Sequence, residues 1–141
     1  MSQVQSYYTI VENGIESLGI PPADARGEKE GQWDFNRGSA SVAVGITSTE
    51  RFPDGYFYAN CILMLVSEVP AEKQPEFYRT LLDISASLVN MKLCTNGDYV
   101  MLVSNRDANG LDAEEVASCV NELSYYADLL DDRLKEGFAA A

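Results

Sequence analysis

Lys92-Leu93-Cys94-Thr95-Asn96-Gly97-Asp98-Tyr99-Val100-Met101-Leu102-Val103-Ser104 decides how this chain folds. Strand-forming residues stand on both sides of Asn96-Gly97, and Asn-Gly is the dipeptide that best tolerates the two positive φ angles of a type I′ turn. The spacing predicts a tight antiparallel hairpin, with residues 92–95 paired to 99–104.

Immediately upstream, Phe77, Tyr78, Leu81, Leu82, Ser85, Leu88 and Val89 recur at spacings of three and four, the stripe of an amphipathic helix. Pro75 suits its first turn, where the missing N–H is not needed. Before it, residues 56–69 read as a strand that Pro70 ends. Strict alternation puts Phe57, Ala59, Cys61, Leu63 and Leu65 on one face and Tyr56, Tyr58, Ile62, Met64 and Val66 on the other. A strand that is apolar on both sides needs cover on both sides.

Phe52-Pro53-Asp54-Gly55 is turn chemistry, and ahead of it lies another hairpin. Trp33 and Phe35 alternate with polar residues, Asn36-Arg37-Gly38 supplies the turn, and Ala40, Val42, Val44 and Ile46 line one face of the next strand. Its other face carries Ser41, Ala43 and Gly45, small enough for something to approach the sheet closely. Residues 22–31 are charged and glycine-containing, a solvated connection. At the start of the chain, Val4, Tyr7, Tyr8, Val11, Ile15 and Leu18 mark a helix stopped by Gly19 and Pro21-Pro22.

Downstream of the hairpin, Asp112 and Glu115 stand in the D-x-x-E spacing of a capping box. Behind them Val116, Cys119, Val120, Leu123, Ala127, Leu130, Leu134 and Phe138 carry a helical stripe over about seven turns. Residues 139–141 are expected to fray. The order is α-β-β-β-α-β-β-α across one domain, residues 1–141. The fold class it predicts is α+β, an antiparallel five-stranded sheet with helices mainly on one face.

The chain has 141 residues, 46% of them apolar and 23% charged, enough to bury a core without metal or disulfide. Asp and Glu number 22 against 10 Lys and Arg, a formal net charge of −12. Such a surface repels phosphate, so neither nucleic acid nor membrane is an expected partner. It either attracts a basic segment or serves solubility alone. Cys61, Cys94 and Cys119 lie in apolar runs and read as buried, reduced thiols. With no basic n-region in residues 1–17 and no apolar run of about 18 residues, the expected location is the cytoplasm.

Catalytic means are few. The chain has no His, which removes the Ser-His and Cys-His nucleophile pairs and the His-containing zinc sites. The cysteines form no C-x-x-C, and no phosphate-binding glycine motif occurs. Asp107-Ala108-Asn109-Gly110-Leu111-Asp112 resembles the start of a calcium loop but lacks its glycine spacing and terminal glutamate, so it reads as a loop and helix cap. Asp128, Asp131, Asp132 and Glu136 could in principle supply an acid pair, though a solvated helix face is the simpler reading. No cofactor or metal is expected.

The order of elements, the strand apolar on both faces, the Asn-Gly hairpin and the acidic C-terminal helix together resemble the type III secretion chaperone-like fold family. That family includes secretion chaperones and the YbjN-type proteins of bacteria, and the resemblance runs from Gln3 to Phe138. It implies a small acidic homodimer that holds a segment of another protein on its sheet and helix surfaces, without ATP and without catalysis. The residues agree on the class. If helices cover one sheet face, Tyr56, Tyr58, Ile62, Met64, Tyr99, Met101 and Val103 face away from them and are the candidate partner-binding residues. A second copy of the chain, or the C-terminal helix, could cover them instead. The rival reading is a small enzyme or ligand carrier with a carboxylate pair in a pocket.

Overall fold

A computed structural model describes residues 3–140. The elements are α1 (Gln3–Glu16), α2 (Pro22–Ala25), β1 (Gln32–Arg37), β2 (Ala40–Thr47), β3 (Tyr56–Leu65), α3 (Gln74–Ser85), β4 (Lys92–Asn96), β5 (Tyr99–Asp107) and α4 (Ala113–Phe138). Short 3₁₀ turns at Val66–Glu68 and Ala71–Lys73 join β3 to α3. The strands form one sheet in the order β1-β2-β3-β5-β4, with every neighbouring pair antiparallel.

The β4–β5 hairpin closes one residue later than the Asn-Gly rule predicts, and the β1–β2 hairpin, read as turning over Asn36-Arg37-Gly38, turns at Gly38-Ser39. Asn96 pairs with Tyr99 and Arg37 pairs with Ala40, so the central residues are Gly97-Asp98 and Gly38-Ser39. In each turn the glycine has φ near +60°, while Asn96, Asp98, Arg37 and Ser39 do not. That is the requirement of a type II′ turn, with glycine first, and not of type I′. The shift moves the 92–104 register by two residues, so no side chain changes face.

One face of the sheet carries the core. Val42, Val44 and Ile46 of β2, Phe57, Ala59 and Cys61 of β3 and Val100 and Leu102 of β5 pack in one cluster with the inner stripes of α1 and α4. α1 contributes Tyr7, Val11 and Ile15, and α4 contributes Val116, Val120, Leu123, Ala127, Leu130 and Leu134. The predicted cap forms as read: Asp112 Oδ1 accepts from the Glu115 amide at 2.8 Å, and Glu115 Oε1 accepts from the Asp112 amide at 3.1 Å. Phe77 and Leu81 of α3 reach the same cluster, and the Phe77 ring stands edge-on to Phe138 at 5.2 Å.

Four expectations change. The connection 22–31 is not wholly solvated: it forms the single turn α2, buries Ala25 and bridges Arg26 to Trp33 on the outer edge of β1. There Arg26 grips Glu12 through two bonds of 2.8 and 2.9 Å, and the Trp33 indole donates to the same carboxylate at 2.8 Å. The stripe of α3 splits, with Phe77 and Leu81 inward and Tyr78, Leu82 and Val89 exposed at 41, 70 and 75%. The third strand ends at Leu65, short of Pro70. The chain end does not simply fray, because the Ala140 amide donates to the Glu68 carbonyl at 3.1 Å; residue 141 lies outside the described residues.

The alternation read for the third strand also fails at one point inside β3. Ile62 pairs with Met101 but Met64 pairs with Val100, so a β-bulge inserts one residue between them. A one-residue slip exchanges the faces of everything beyond it. Met64 is turned into the core, 3% exposed, and Leu65 comes out opposite Tyr99.

Candidate functional site

Among the described residues no helix packs into the sheet face opposite the core. Across β3, β5 and β4 it presents Ile62, Met101 and Cys94 in one row, since Met101 pairs with both of the others. Tyr99 and Leu65 stand beside that row as the next pair. Ile62 is 53% and Tyr99 49% exposed, and Met101, Cys94 and Leu65 are half-buried by one another. The result is a low apolar patch at the end of the sheet where the bulge lies.

Toward β1 the same face drops into a trough. Ser41 and Ala43 of β2 lie at its floor, between Asp34 and Asn36 of β1 and Asn60 and Ile62 of β3. Its open volume is about 390 Å³. The small side chains of Ser41 and Ala43 are what make it, because they leave the main chain of the strand approachable.

The seven residues picked from the sequence separate into three groups. Ile62, Tyr99 and Met101 stand on the open patch as expected. Tyr56, Tyr58 and Val103 are on that face but partly engaged. The Tyr58 ring lies flat over Gly45, the residue it pairs with, and would collide with any Cβ there. Burial raises its hydroxyl pKa above the ordinary tyrosine value. The Tyr56 ring centroid is 5.9 Å from that of Phe52, and Val103 is only 9% exposed between Asn60 and Lys92. Met64 belongs to the core, for the reason given above. Cys94 and Leu65 were missed: Cys94 was read as a buried hydrophobe, and Leu65 was hidden by the bulge.

The acidic end of α4 is committed to structure or to water. Asp128 accepts from the Ser39 hydroxyl in the β1–β2 turn, Asp131 pairs with Lys135 at 2.8 Å, and Asp132 and Glu136 are exposed. Asp107 Oδ1 accepts from the Asn109 amide at 2.9 Å, so the calcium-like loop is closed by its own hydrogen bonds. A concavity of about 640 Å³ between β5, α4 and the α3–β4 loop holds Glu115 and Glu122 on its wall. They are two turns of helix apart, and Glu115 is already paired with Arg106 at 2.5 Å, so no carboxylate couple forms there. Burial raises all three thiols, Cys61 to about 12.

No protein-family profile matches the chain, and no curated protein matches its sequence. Solved structures do resemble it in backbone. A chain of the ExsC–ExsE complex matches with a TM-score of 0.71 at 13% identity, over 95% of this chain and 97% of that one. The Yersinia pestis type III secretion chaperone SycH, solved with a fragment of YscM2, gives 0.57 at 15% identity, over 88% and 98%. The ExoU–SpcU heterodimer of the Pseudomonas aeruginosa type III secretion system gives 0.59 at 12% identity, over 86% and 94%. At such identities only the backbone path is shared. The order of elements, the antiparallel sheet and the helices packed on its one face give this chain the type III secretion chaperone-like fold.

Proposed function

We propose that this chain is a non-catalytic, chaperone-like domain that holds a segment of a partner protein on its open sheet face, as a homodimer and without ATP. The observation that carries the reading is the apolar row of Ile62, Met101 and Cys94 beside a trough floored by Ser41 and Ala43. A concave strip of main chain next to adaptable apolar side chains suits an extended or partly helical peptide better than a small solute. Support also comes from the structures above, which hold chaperones in complex with other proteins. Identifying the partner decides whether it belongs to a type III secretion system, as in the Yersinia and Pseudomonas structures above, or the chain is nearer the YbjN-type branch. Among the described residues no helix is long and apolar enough to cross a membrane, and the reading places the protein in the cytoplasm.

Apolar side chains are also exposed away from the sheet, at Tyr78 and Leu82 of α3 and at Tyr125 and Leu129 of α4. The sheet trough is concave, whereas Tyr78 and Leu82, one turn apart, form a ridge on α3. A twofold interface needs a surface that matches itself, and a helical ridge can pack against its own copy. The reading assigns the second copy to α3 and the partner segment to the sheet. Light scattering at micromolar concentration is expected to give a dimer that Leu82→Glu dissociates; a wild-type monomer overturns this half. For the other half, a photo-crosslinking residue at Ile62 or Met101, expressed in the native host, is expected to capture the partner. Crosslinks that arise only from Asp128, Asp131 or Asp132 would move the site to the acidic helix and overturn the choice of face.

A further inference from the structure

The apolar residues exposed on α4 fall in a pattern that scattered surface residues do not have. Ala127 packs in the core, and Tyr125 and Leu129, two residues to either side of it, are turned about 200° away, onto the outermost line of the helix. They are 59 and 52% exposed. Steps of three and four residues along that line give Ser118, Glu122, Tyr125, Leu129, Asp132 and Glu136, all exposed, over about five turns. This is the spacing by which one helix meets another along a seam. The apolar pair is at its middle and carboxylates are at both ends. The Tyr126 ring stands edge-on to Tyr125 at 5.1 Å and is itself packed against the core, so the Tyr125 ring is held in place.

Charge decides what fits there. In an antiparallel pair of α4 helices the twofold axis would pass beside Ala127 and set Tyr125 of one copy on Leu129 of the other, but it would also set Glu122 on Asp132 at both ends. A parallel pair would face each carboxylate with its own counterpart. Like charges repel in either arrangement, so a second copy is the wrong occupant. The cations nearby do not relieve this. Lys135 is bonded to Asp131 at 2.8 Å, Arg37 is bonded to Asn121 on one flank, and Arg133 lies to the other side of the seam. Glu122 and Glu136 form no ion pair among the described residues.

We propose that the outer face of α4 is a docking site for a basic helix of a second protein. That helix lays two apolar residues, spaced by three or four, on Tyr125 and Leu129. A Lys or Arg one turn beyond each of them meets Glu122 at one end and Asp132 and Glu136 at the other. The apolar pair supplies the affinity, and the net charge of −12 favours the same occupant and speeds its encounter. This site is independent of the sheet-face reading. α4 covers the core side of the sheet, so the trough and the outer face of α4 point in opposite directions and both can be filled at once.

The probe is the peptide acetyl-Lys-Gln-Ala-Leu-Ala-Gln-Ala-Leu-Ala-Gln-Lys-Ala-Gln-Ala-Lys-amide, titrated into the ¹⁵N-labelled full chain. Amides of residues 118–136 are expected to shift. Exchanging every Lys for Glu is expected to weaken binding about ten-fold, roughly two-fold for each exposed pair. Exchanging both Leu for Gln keeps the charge and is expected to weaken it about ten-fold as well. In the protein, Glu122→Gln with Asp132→Asn is expected to weaken the Lys peptide about four-fold and Leu129→Gln about five-fold, with the spectrum otherwise folded because these positions are exposed. Equal binding of the peptide without Leu would mean that the acidic chain attracts any basic peptide, and overturns the seam. Shifts confined to Ile62, Tyr99 and Met101 overturn it too and leave the sheet-face reading standing. Absence of shifts in α4 overturns it, and the Ile62 crosslinking above then decides the sheet face separately. If Tyr125→Ser turns a dimer into a monomer by light scattering, a second copy occupies this face and the proposal falls.

Discussion

Gly14 offers a contest between two effects whose sizes can be compared. It is buried in the last turn of α1, where a Cβ would stand 2.6 Å from Val116 Cβ, 2.7 Å from Val116 Cγ1 and 2.9 Å from the Ala113 carbonyl oxygen. Helix propensity alone favours Gly14→Ala by about 1 kcal/mol. The packing opposes it. The atoms in the way are a β-carbon and a main-chain oxygen at the start of α4, which cannot rotate aside as the end of a long side chain can. Carbon atoms need about 3.5 Å, so α1 and α4 must part by nearly 1 Å, loosening the contacts of Val11 and Ile15 as well. Overpacking of this kind costs about 1–3 kcal/mol, and more where backbone must move. The net expectation is a loss of about 1–2 kcal/mol. With a urea m-value of roughly 1.5–2 kcal/mol/M, the midpoint followed by circular dichroism falls by about 1 M. Gly137→Ala is the control, because nothing lies within 4 Å of its Cβ position, and it gains a few tenths of a kcal/mol. A Gly14→Ala midpoint at or above wild type would refute the reasoning and mean that propensity outweighs the α1–α4 contact.

Further expectations concern the bulge, the Glu12 cluster and the thiols. Met64→Lys is expected to destabilise by about 2–5 kcal/mol and Ile62→Lys by under about 0.5 kcal/mol, since the bulge buries the first and exposes the second; equal losses in urea titrations would contradict the register. The Arg26 guanidinium holds the Glu12 carboxyl below the ordinary carboxylate range, helped by the Trp33 indole against the opposing effect of burial. A lowered folded pKa gives stability that is present above the unfolded value and lost as pH falls through the folded one. Because Arg26 is 60% exposed and screened, Glu12→Gln is expected to cost under about 1 kcal/mol at pH 7, with the gap to wild type closing below about pH 4. With its thiol raised to about 12, Cys61 is expected to resist a maleimide at pH 8 until the chain is unfolded in urea; mass spectrometry that finds it modified as fast as Cys94 would argue against its burial.

Much of the fold was legible because it depends on neighbours in sequence. The period-two pattern of Val42, Val44 and Ile46, the three-and-four spacing of Val11 and Ile15 and the Asp112–Glu115 cap are local signals, and each element appears where it was read. The hairpin turns illustrate both the strength and the limit. Reading Asn96-Gly97 as the central pair missed the true turn, Gly97-Asp98, yet Leu93 still faces the core. A register error of two residues preserves every side-chain face.

Amino-acid order by itself determined the α+β class, the core faces of the strands, the two long helices and the absence of histidine from the chemistry. Tertiary structure decided the rest. Strict alternation cannot foresee the extra residue between Ile62 and Met64, because a bulge is set by how β3 and β5 fit together and not by β3 alone. The split of the α3 stripe follows in the same way from where the sheet ends: Phe77 and Leu81 find the core, while Tyr78 and Leu82, one step round the helix, find no neighbour. The free edge at residues 104–107 exists only because β4 starts later than β5 stops. Local pattern says which face of an element is apolar. Only the assembled sheet fixes which apolar face and which main-chain edge is left without cover, since that is a property of the neighbours that are missing.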